Sequence, residues 1–88
     1  MTSVPGGGSA PAPIPRRRLA DTLVEILALE GVVMLWERTI IEEAIRHLRG
    51  ECDASRTTAA ALCEIAERRP LVHAHRSALY RAAERIVP

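Results

Sequence analysis

Within 61-ALCEIAERRPLVHAHRSALY-80 the chain gathers most of the side chains it has that could do chemistry. Cys63, His73, His75, Ser77 and Tyr80 lie there beside Arg68, Arg69 and Arg76. Adding His47 and Cys52 completes a set of zinc-ligand types, but the spacing argues against a zinc site. Cys52 and Cys63 lie too far apart for the short turn that brings two thiolates onto one ion. His73 and His75, two positions apart, point ~200° from each other on a helix. They would converge only on a strand, and the Ala, Leu and Arg around them do not alternate. The expectation is no metal site, with His75 partly buried and His73 solvated.

Nucleophilic catalysis has no better footing. Cys63 stands beside Glu64 and Glu67, and acidic neighbours raise a thiol pKa. His73 and Ser77 are one helical turn apart and could share a hydrogen bond, yet no third orienting group and no oxyanion site accompany them. Gly6, Gly7 and Gly8 do not precede a strand–helix junction, so they are no phosphate loop. The only paired carboxylates, Glu42 and Glu43, are splayed by adjacency on a helix. A chain without catalytic, cofactor or metal residues follows, and no small-molecule substrate is expected.

The elements that must position these residues are helical. In the first, Leu19, Leu23, Ile26 and Leu27 share a face, with Gly31 either ending the helix or bending it. The second runs from about Val32 to Arg49 and carries Val33, Trp36, Ile40, Ala44 and Leu48 in one row, widened by Ile41 and Ile45. Trp36 is placed in the core. Arg38, Glu42, Arg46 and Arg49 form the opposite row, where Glu42 can pair with an arginine on either side.

The third helix begins near Asp53 or Ser55, both good N-caps, and Pro70 must end it. Its inner positions are Thr58, Leu62, Ile65 and Ala66. A fourth over 71–87 packs through Leu71 or Val72, His75, Ala78, Leu79, Ala82 and Ile86. No stretch alternates with a period of two. The predicted fold is all-α, a small bundle of about four helices.

Composition sets the frame. Residues 1–16 are rich in Pro, Gly and Ala and read as a disordered arm, leaving 17–88 as the helical domain. The arm lacks the charged start and apolar run of a signal peptide, and no window suits a membrane span. All twelve basic residues are arginine, a bias of GC-rich bacterial coding, and they nearly balance the acids at a net charge of +1. That balance gives no strong field for nucleic acid or membranes. Two cysteines without an export signal suggest reduced thiols and a cytoplasmic location.

Two functions remain. One is a small helix-turn-helix-like DNA-binding regulator that uses the last helix, with Arg76, Arg81 and Arg85 reaching guanine edges or phosphates. Against it stand the missing turn glycine and the diluting Glu64, Glu67 and Glu84. The stronger expectation is a non-catalytic protein–protein interaction module that binds a protein partner or a second copy. Its candidate contacts are His73, Arg76 and Tyr80 with Arg38, Glu42 and Arg46. The run 32-VVMLW-36 is an alternative contact surface if it is not buried.

The order 19-LADTLVEILAL-29, 38-RTIIEEAI-45, 58-TAAALCEIAERRP-70 and 71-LVHAHRSALYRAAERI-86 resembles the effector-associated domains of bacterial conflict systems. These are small, death-like helical domains found largely in multidomain proteins of actinobacteria and similar organisms. The resemblance spans nearly all of 19–86 and rests on helix-spaced Leu, Ile and Ala, a Cys in the third segment and the Pro before the last. It implies an adaptor that joins a sensor to an effector and has no catalytic residues. The 88 residues include neither sensor nor effector, so either a standalone adaptor or inhibitor, or one part of a larger system, is expected.

Overall fold

The computed structural model describes residues 14–86, so residues 1–13 of the arm lie outside the described residues, as do 87–88. Four helices follow one another: α1 (Arg16–Leu27), α2 (Leu35–Leu48), α3 (Arg56–Arg68) and α4 (His73–Ile86). No strand occurs among the described residues. The all-α four-helix bundle read from the sequence is the fold. Its body begins slightly before residue 17, because Arg16 is already helical and Ile14 packs against the core.

One apolar core holds the four helices. Leu19, Leu23 and Ile26 of α1 meet Ile41, Ile45 and Leu48 of α2, Leu62 and Ile65 of α3, and Leu79 and Ile86 of α4. Alanines 20, 44, 66 and 82 are fully buried between them. Such small side chains let the helix axes approach while the branched ones fill the space, at roughly 25 cal/mol per Å² of apolar surface removed from water.

The breaks between helices have local causes. Gly31 adopts φ 70° in the link 28–34, so residues 19–49 form two helices and not one bent one. At the end of α2, Gly50 (φ 78°) takes the left-handed position. Its N–H donates to the His47 carbonyl at 3.0 Å, and the Glu51 N–H donates to the Arg46 carbonyl at 2.8 Å. That reciprocal pattern satisfies carbonyls the helix leaves unpaired. Ser55 caps α3, its Oγ accepting from the Thr58 N–H at 3.3 Å. Pro70 stops α3 as expected, and Arg69 before it is extended at φ −94° and ψ 146°.

The second helix departs from its predicted register. It starts at Leu35, and its buried face is Glu37, Ile41, Ala44, Ile45 and Leu48. Trp36 is 49% exposed, so its placement in the core is incorrect. The cause is Glu37, which takes the inward position of the first turn. Its Oε1 accepts from the Met34 N–H at 2.7 Å, and its Oε2 accepts from Arg69 Nε at 2.9 Å. A carboxylate with both a backbone donor and a guanidinium partner tolerates burial that an unpaired one does not. Trp36, one residue before it, is thereby rotated ~100° toward solvent.

Candidate functional site

Two arginines close the helix pairs in the same way. Arg38, the fourth residue of α2, donates from Nη1 to the Leu27 carbonyl at the end of α1, at 2.7 Å. Arg76, the fourth residue of α4, donates from Nε to the Ala66 carbonyl near the end of α3, at 2.8 Å, and from Nη2 to the Arg69 carbonyl at 3.4 Å. Each arginine thus reaches back across a link to a carbonyl, that of Leu27 or Ala66, that the preceding helix leaves unpaired, while the Arg69 carbonyl also accepts from the Leu71 N–H at 2.8 Å. Together with Glu37–Arg69 and with His75 Nε2 at 3.2 Å from Glu25 Oε1, they bring one end of the bundle together. At that end α1 and α3 stop, and α2 and α4 start.

The same end carries the exposed large apolar side chains of the described residues. Leu35 is 81% exposed, Val72 63%, Met34 55% and Trp36 49%, with Val24 of α1 at 42%. Met34, Leu35 and Trp36 precede Glu37, and Val72 follows Arg69, so the ion pair ties together the two corners from which these side chains project. Val32 and Val33 pack partly against the core behind them. The run 32-VVMLW-36 therefore divides: its valines lean inward and its Met34, Leu35 and Trp36 face out.

The six side chains singled out as partner contacts do not form one surface. Arg38 and Arg76 are half-buried on main-chain carbonyls. Glu42 and Arg46 are exposed on the outer side of α2, and among the described residues Glu42 pairs with neither Arg38 nor Arg46. Tyr80 lines a groove between α3 and α4, its hydroxyl donating to Glu67 Oε2 at 3.5 Å. His73 is exposed on the other side of α4, in a groove shared with α1.

The nucleophile types are divided between these grooves. Cys63 lies with Tyr80, Ala59, Ala60 and Ala83 in the α3–α4 cleft, about 580 Å³ in volume. Burial pushes its thiol up, and the negative charges of Glu67 and Glu84 push it further. Of the two acidic neighbours expected to act, Glu67 does and Glu64 does not; burial comes first, and Glu84 contributes from α4. His73 and Ser77 share the α1–α4 groove, where Ser77 Oγ accepts from Arg81 Nε at 3.4 Å. His75 is half-buried and His73 exposed, as the helical spacing predicts. Among the described residues no three His, Cys, Asp or Glu side chains gather as a metal site would require.

Sequence reading missed Glu37 and Arg69. The available signal was an acidic residue three positions after Met34 at a helix start, the spacing of a capping carboxylate. No helix of the described residues is long and apolar enough to cross a membrane. Compared with protein-family models, curated proteins and solved structures, the chain matches none, so the functional reading rests on the bundle's own geometry.

Proposed function

We propose that this bundle is a non-catalytic protein–protein interaction module whose contact surface is its apolar end. The observation that carries the reading is the outward placement of Met34, Leu35, Trp36 and Val72 around the Glu37–Arg69 pair. Aromatic and aliphatic side chains presented from rigid helix starts lose little conformational freedom on binding, which suits them as anchors of an interface. The partner is another protein or a second copy of the chain. The resemblance to effector-associated domains gives the reading its biological form: an adaptor that couples a sensor to an effector in a bacterial defence or signalling system.

DNA reading through the last helix has less support. Arg76 donates to carbonyls of α3, and Arg85 donates to the Ile14 carbonyl, which leaves Arg81 as the outward arginine of α4. A helix that reads base edges needs several side chains free on one face. The test of the interaction reading is a paired comparison of the wild-type chain with Leu35→Ser/Trp36→Ser. Sedimentation at rising concentration, and co-purification from the native cell, should show self-association or a retained protein that the double substitution abolishes. A wild-type chain that stays monomeric, and retains only proteins that the doubly substituted chain retains equally, would remove the reading.

A further inference from the structure

A second surface runs along the side of the bundle, and the apolar end does not account for it. Helices α1 and α4 are antiparallel neighbours, from Ile14 beside Arg85 at one end to Glu25 beside His75 at the other. The groove between them has a volume of about 330 Å³. Arg18, Arg81 and His73 edge it, Thr22 and Ser77 add hydroxyls, and no carboxylate lines it. Its floor is apolar and includes the buried Leu19 and Ala78.

Helix stability does not explain the charges. Arg16, Arg17 and Arg18 fill the first turn of α1, which holds no acidic residue and receives no side-chain cap from Pro15. Cations at that end oppose the helix dipole and cost a few tenths of a kcal/mol each. The nearest acid on α1, Asp21, lies 4.0 Å from Arg49 of α2. Neither Arg18 nor Arg81 has a carboxylate partner among the described residues. The bond from Arg81 Nε to Ser77 Oγ holds that guanidinium along the groove and leaves its Nη groups available.

We propose that the α1–α4 groove binds an acidic segment of a partner protein, with Arg18 and Arg81, which face each other across one end of the groove, receiving carboxylates, and with the exposed Ala74 and the hydroxyl-edged remainder toward His73 receiving the apolar part of the segment. Charge complementarity selects the acid, and the apolar floor selects a peptide over a nucleic-acid backbone, which alternates phosphates with small polar sugars and carries no large apolar side chain. The net charge of +1 points the same way, because polyanion binding relies on many released counterions. From His73 to Arg81 the groove extends ~12 Å along α4. An extended peptide covers that distance in about four residues, so acids at the Arg18–Arg81 end followed by apolar residues toward His73 fit the site.

The probe is a fluorescein-labelled 12-residue peptide of Glu, Leu and Ser, compared with its Glu-to-Gln counterpart and a 12-base-pair DNA duplex. Amide chemical shifts should move at 18–22 and 73–81 with the acidic peptide and stay still with the Gln peptide. Anisotropy should show binding weakened about tenfold by Arg18→Ala or Arg81→Ala, both exposed positions, and by added salt. Leu35→Ser/Trp36→Ser should leave it unchanged, which separates this groove from the apolar end. The proposal is overturned by any of three results: no shifts at millimolar acidic peptide, shifts that map elsewhere, or duplex DNA binding these residues more tightly than the peptide does.

Discussion

Arg69 Nε stands 2.9 Å from the carboxylate of Glu37, 32 positions earlier in the chain, and Glu37 is only 1% exposed. This pair fixes where α2 starts relative to the corner between α3 and α4. It also sets which side chains of 32-VVMLW-36 face outward. Removing the guanidinium with Arg69→Leu leaves a buried carboxylate held only by the Met34 N–H. A loss of about 3 kcal/mol in urea-unfolding free energy is expected. A loss below ~0.5 kcal/mol would mean that the pair does not organise the end of the bundle.

The inter-helix arginines make a separate prediction. Arg38→Ala and Arg76→Ala each leave helix-terminal carbonyls without their charged donor, so each should lower stability by about 1–2 kcal/mol. Hydrogen exchange should quicken near the end of α1 for Arg38→Ala and near the end of α3 for Arg76→Ala. Glu42→Ala, on the exposed face of α2, serves as the control and should change stability by less than ~0.5 kcal/mol. If all three variants had the same stability, the two bonds would have no structural role.

Cys63 gives a pH-dependent test. Burial, Glu67 and Glu84 all disfavour its thiolate, so the folded pKa is raised above the unfolded value. In a Cys52→Ser background, the alkylation rate should rise with pH at a higher midpoint in the folded chain than in urea. Glu84→Gln should lower that midpoint by removing one of the negative charges. By linkage, the folded state holds the proton more tightly. The contribution is therefore fully present below the unfolded thiol pKa, and it is lost as pH rises through the folded one. A folded midpoint at or below the unfolded one would contradict this environment.

How far the sequence disclosed this structure depended on the range of the cause. The stripe Leu19, Leu23, Ile26 on α1, the Ser55 cap and the Pro70 stop are local, and each stands where periodicity or backbone chemistry places it. The sequence misplaces Trp36 because its exposure follows from the burial of Glu37, and that burial depends on an arginine at the far end of the next helix. Counting apolar residues cannot register such pairing. Arg38 and Arg76 look like surface charges by spacing alone, since the carbonyls they meet lie ten or eleven residues back across a link. The grooves come from the packing of α4 against both α1 and α3, which no single segment encodes.

The contact surface itself is tested most directly by site-specific photo-crosslinking in the native cell. A photo-reactive phenylalanine analogue would replace Leu35 in one variant, Glu42 in a second and Glu51 in a third. The apolar-end account predicts a discrete adduct, with another protein or a second copy, from position 35 and none from 42 or 51. Adducts from 42 or 51 with none from 35, or no adduct from any of the three, would contradict it.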